Sequence, residues 1–76
     1  PCTDHIEIRF DMAESGRLVV DIRDMAGKVL QTIASGDFPA GPQQFTWEAP
    51  EAPAGIYLAG VRTGKGGVVR KVLKFR

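Results

Sequence analysis

Strict alternation of apolar and polar residues is the feature that most limits what this chain can fold into. In His5-Ile6-Glu7-Ile8-Arg9-Phe10, one face collects Ile6, Ile8 and Phe10, and the other collects His5, Glu7 and Arg9. Arg17–Arg23 repeats the pattern with Leu18, Val20 and Ile22 inward and Asp21 and Arg23 outward; Gln44-Phe45-Thr46-Trp47 is a shorter third case. A period of 2 belongs to strands with one wet and one dry face. No segment keeps the 3.6 period over the ten or so residues a helix needs.

The connections agree with strands. Glu14-Ser15-Gly16 ends a six-residue link, and Asp24-Met25-Ala26-Gly27 is a compact reversal into a strand over Lys28–Ile33. Asp suits the first turn position, and Gly supplies the positive φ that follows. Thr63-Gly64-Lys65-Gly66-Gly67 reads as a glycine-rich hairpin loop. Pro39, Pro42, Pro50 and Pro53 are expected to confine regular structure between Ala34 and Ala54 to Gln43–Trp47. Six or seven short strands with such turns predict an all-β, immunoglobulin-like antiparallel β-sandwich, formed by residues 1–76 as one domain.

Two strands do not alternate cleanly. Ile56-Tyr57-Leu58-Ala59-Gly60-Val61 is apolar on both faces, as in a strand covered on both sides or one keeping a face for a partner. In the last strand, Val69, Leu73 and Phe75 are expected inward, sharing a face with Lys71. A single bulge would reverse this assignment.

Size and charge exclude some functions. A chain of 76 residues buries only about 60% of its unfolded surface, so the core is thin. At 43% hydrophobic and 25% charged, it is too apolar for a disordered tail and too charged for a membrane span. Net charge is +1, and only Arg70–Arg76 is locally basic, which argues against nucleic acid as a partner. Cys2 is the one cysteine, so no internal disulfide or Cys-based zinc site is expected. With no Met before Pro1 and no leader-like segment after it, the chain looks excised from a longer secreted protein.

Candidate chemistry is sparse. His5 is the one histidine, on an exposed strand phase beside Asp4 and Glu7, and it makes no recognisable metal site. Cys2 has no histidine to activate it. Ser15 and Ser35 are turn residues, Glu48 and Glu51 lie in a proline-rich loop, and Asp24 is a turn former. Gly64-Lys65-Gly66-Gly67 is followed by no helix that would make it a phosphate cradle. No catalytic residue, metal or cofactor is therefore expected. Of the aromatics, Phe10, Phe45, Trp47 and Phe75 fall on inward phases. Tyr57 and Phe38 remain as a thin platform for carbohydrate.

Several motifs together resemble the C-terminal sorting domains of the type IX secretion system. Pro1-Cys2-Thr3-Asp4 before the alternating strand, Asp24-Met25-Ala26-Gly27-Lys28-Val29, Ala54-Gly55-Ile56-Tyr57-Leu58 and the closing Val69-Arg70-Lys71-Val72-Leu73-Lys74 follow the family's order. Phe45-Thr46-Trp47 also looks like the immunoglobulin-like domain of the flagellar hook-capping protein, which continues Trp-Asp-Gly where this chain has Trp47-Glu48-Ala49.

The resemblance implies a non-catalytic sorting signal that folds in the periplasm. Its implied partners are the outer-membrane translocon and a sorting peptidase, and its destination is the cell surface or the medium. Recognition is expected at Lys71, Val72, Leu73 and Lys74, by strand addition and charge. Asp24, Gly27, Lys28, Gly55, Ile56 and Tyr57 are expected to recur for turn geometry and packing. No direct membrane insertion is expected, and an exposed sheet edge could support dimerisation. The alternative is a structural or adhesion module, with carbohydrate binding as one form of it.

Overall fold

A computed structural model describes residues 5–48 and 53–74, and of residues 73 and 74 the backbone. The chain forms six strands: β1 (His5–Met12), β2 (Gly16–Arg23), β3 (Val29–Phe38), β4 (Gly41–Glu48), β5 (Gly55–Thr63) and β6 (Gly66–Lys74). They make two antiparallel sheets, β1-β4 and β3-β2-β5-β6, packed as a small immunoglobulin-like sandwich. The described residues include no helix long and apolar enough to cross a membrane.

The alternating segments do what their period requires. Ile6 lies opposite Trp47 and Ile8 opposite Phe45, so β1 and β4 present one shared apolar face. That face meets Leu18, Val20 and Ile22 of β2 and Tyr57, Ala59 and Val61 of β5. Leu18, Val20 and Ile22 are fully buried, and burial of each such side chain stabilises the fold by about 1.5–3 kcal/mol. Phe38 and Phe45 close one margin edge-on, with ring centroids 5.6 Å apart.

Four expectations need correction. The β1–β2 link is Ala13–Ser15, shorter than expected, because β1 keeps pairing with β4 through Met12. The prolines do not confine order to Gln43–Trp47: β3 runs to Phe38, and β4 starts at Gly41 and includes Pro42. Pro42 is tolerated because β4 is paired on one side only, and proline's missing N–H is harmless near the start of such an edge strand. The β5–β6 loop contracts to Gly64 and Lys65, held by the Lys65 amide donating to Thr63 Oγ1 at 3.2 Å.

The fourth concerns β6. Its pairing with β5 is unbroken from Thr63–Gly66 to Gly55–Lys74, placing Val68, Arg70 and Val72 opposite Val61, Ala59 and Tyr57. Val72 therefore packs against the core, while Val69, opposite Gly60, points outward and is half exposed. The tight hairpin, with no bulge, fixes a register opposite to the one expected. Leu73 pairs with Ile56; the Leu73 side chain and Phe75 lie outside the described residues.

Candidate recognition surface

The turn after β2 shows what the Asp-x-x-Gly-Lys motif does. One oxygen of Asp24 accepts the amides of Ala26 and Lys28, both at 2.9 Å. The Gly27 amide donates to the Asp24 carbonyl at 3.0 Å, and the Asp24 amide donates to that of Lys28. Gly27 has φ of 92°, a conformation other residues adopt only with strain. Asp24 and Gly27 thus close the turn through backbone bonds, and the Lys28 side chain is left exposed.

Ala-Gly-Ile-Tyr opens β5. Gly55 begins the strand, Ile56 points outward and half exposed, and Tyr57 points into the core. The Tyr57 ring meets Trp47 edge-on at 5.1 Å between centroids, and its hydroxyl donates to the Pro53 carbonyl. Trp47 Nε1 donates to Gln31 Oε1 at 3.0 Å, satisfying the other buried aromatic donor. The thin aromatic platform kept as an alternative does not form: Tyr57 is buried and Phe38 half-buried. The reason is the missing polar alternation in β5, which hid the phase of Tyr57.

Among the described residues, no second sheet lies over the outward face of β3-β2-β5-β6. Asp21 points to this side, as expected of its strand phase, yet is only 2% exposed. Arg23 covers it, with Nε at 2.9 Å from Oδ1 and Nη2 at 3.2 Å from Oδ2, a two-pronged pair. Arg62 adds a guanidinium nitrogen at 3.9 Å. The hydrogen bonds Arg23 donates to Asp21, then the charge of that carboxylate, hold the Arg23 guanidinium above its ordinary pKa range, so Arg23 stays cationic.

Glycine makes this arrangement possible. Gly60 lies opposite Asp21, and a Cβ there would overlap the carboxylate and press on Arg23 Nε. Gly67 lies opposite Arg62, where a Cβ would stand 2.8 Å from the Arg62 Cγ. Two arginines therefore lie flat over a buried carboxylate where a second sheet would otherwise be needed. Around them Ile56 and Val69 stay uncovered, Leu58 is half-buried, and Lys71 is exposed opposite Leu58.

The structure divides the expected recognition residues. Lys71 lies on this outward face and Val72 on the inward one. The side chains of Leu73 and Lys74 lie outside the described residues. The β6 edge is the end of its sheet, with no strand paired to it among the described residues. His5 and Glu48 are exposed at the paired ends of β1 and β4. Ser35 accepts a bond from Arg17 at 3.0 Å. Cys2 and Glu51 fall outside the described residues. Among the described residues no three His, Cys, Asp or Glu side chains gather.

Sequence reasoning missed the Asp21–Arg23–Arg62 group. A signal existed: a lone glycine inside an apolar strand marks a close approach of another group. Naming that group required knowing which strand pairs with β5.

Among the described residues, a thin sandwich with one sheet face left open, part apolar and part basic, defines a small β module. The family described as the secretion system C-terminal sorting domain matches residues 1–74, and the chain belongs to it. It is thus a C-terminal sorting signal domain for type IX secretion, and the protein that carries it is exported across the outer membrane. Comparison with curated proteins and with solved structures found no match in either.

Proposed function

We propose that this domain is a non-catalytic sorting signal of a longer secreted cargo. It folds in the periplasm, is recognised as a folded unit by the outer-membrane translocon, and is removed by a sorting peptidase at the cell surface. The observation that carries this reading is the family match over residues 1–74. The fold supports it: residues of the closing motif are integral to a sheet, with Val72 against the core and Lys71 on the open face. Recognition then reads a folded surface.

Removing the last residues is a poor test, because Val72, Leu73 and Lys74 pair with Tyr57, Ile56 and Gly55. Loss of these pairs would damage the sheet as well as any signal. The cleaner experiment fuses residues 1–76, with a few native residues upstream, behind a signal peptide and a fluorescent reporter. The fusion is expressed in a type IX-competent strain and in its translocon-null twin. Fluorescence at the surface or in the medium of the first, with periplasmic retention in the second, is the expected outcome. Retention in both, with the domain folded, would refute the reading.

A further inference from the structure

The open face of β2, β5 and β6 has a one-sided charge. Arg17, Arg23, Arg62 and Lys71 bring positive charge to it, and the carboxylate at its centre, Asp21, is buried and already engaged by Arg23. Arg62 is otherwise: its side chain is 59% exposed, and at 3.9 Å from Asp21 most of its donors are unspent. Beside these cations stand uncovered Ile56 and Val69. A guanidinium group recognises a carboxylate in a two-pronged way through its planar fork of donors. Apolar residues next to them give a partner surface something to bury.

We infer that this face, centred on Gly60, docks a protein segment bearing Asp or Glu carboxylates beside apolar side chains, with Arg62 and Lys71 as the charge contacts. The inference rests on the sorting reading above and adds the surface and the chemistry of its partner. A protein occupant is favoured over an anionic lipid surface, because lipid attraction relies on clusters of about four to eight lysines and arginines. Here Arg23 is tied to Asp21 and Arg17 stands opposite Asp37, which leaves Arg62 and Lys71, fewer than such a cluster. Asp21 and Arg23 act as positioning residues that hold the ceiling in place.

The test uses the reporter fusion described above. A photo-crosslinking residue replaces Val69 on the open face or, as control, Thr46 on the far sheet. The substitutions Lys71→Glu, Arg62→Gln and, as control, Arg9→Gln are each compared with the parent for export and for urea midpoint. Lys71→Glu is expected to lower the exported fraction about tenfold or more with its midpoint unchanged. Arg62→Gln should lower it severalfold, with a slightly lower midpoint because Asp21 loses a partner, and Arg9→Gln should be neutral in both. Crosslinks from position 69 should land on a protein segment containing Asp or Glu. Exchanging that acid for Lys should restore export of Lys71→Glu.

Unchanged export of Lys71→Glu and Arg62→Gln, with the parent exported, would overturn the docking face and leave the sorting reading standing. An adduct on an anionic glycolipid, or on a segment without Asp or Glu, would overturn the proposed occupant, as would crosslinking from position 46 alone. A folded parent fusion retained in both strains would remove the sorting reading and this inference together.

Discussion

The two faces of the four-stranded sheet solve the same problem differently. On the inward face, Leu18, Val20, Ile22, Tyr57, Ala59 and Val61 are covered by the apolar side of β1 and β4. On the outward face no sheet arrives among the described residues, and Asp21 is covered by the side chains of two arginines laid across Gly60 and Gly67. The first solution is dry and non-directional. The second depends on charge and close approach, and it leaves Ile56 and Val69 at 47% and 50% exposure. A strand apolar on both sides, such as β5, thus serves the core with one face and leaves apolar side chains exposed on the other.

Substitutions can break or sharpen this contrast. The largest effect is expected on the inward face: Trp47→Ala removes a side chain only 3% exposed together with its bond to Gln31. Its cost should be about 3–5 kcal/mol, comparable to the whole stability of a domain this small. Urea unfolding should show a lost or strongly shifted transition, and an unshifted midpoint would show that the two-strand cover contributes little. Gly60→Ala tests the outward arrangement. Its Cβ collides with the Asp21 carboxylate, and a loss of about 1–3 kcal/mol is expected in the same assay. An equal or larger loss than Trp47→Ala would mean the charged ceiling matters as much as the core.

Smaller effects separate stability from display. Tyr57→Phe keeps the packing on Trp47 and deletes the bond to the Pro53 carbonyl. It should cost about 1 kcal/mol, read as a lower urea midpoint. Val69→Thr, on the exposed outward phase, should change stability by no more than about 0.5 kcal/mol. A large destabilisation there would show that Val69 is part of the core after all.

Much of the fold was legible because it rests on local patterns. The inward phases of Ile6, Ile8, Leu18, Val20, Ile22 and Trp47 follow from alternation, and the reversal at Asp24–Gly27 follows from turn chemistry. The order of the motifs pointed to the family that matches residues 1–74. The phases of β5 and β6 were illegible from alternation, since strands apolar on both sides carry no period to read. Alternation therefore leaves Tyr57 among the candidate exposed aromatics and favours Val69 inward, each the reverse of what the register imposes.

What the sequence by itself determined is the all-β class, the main turns and most of the core, because side-chain alternation and backbone turn preferences act within a few residues of the chain. What only the tertiary structure decided is which residues form the open face. Asp21, Arg23, Gly60, Arg62 and Gly67 come from three strands, and nothing in their local spacing predicts that β2 lies beside β5 and β5 beside β6. Cross-strand register is set by long-range pairing, and register alone turns an outward aspartate into a buried carboxylate beneath two arginines.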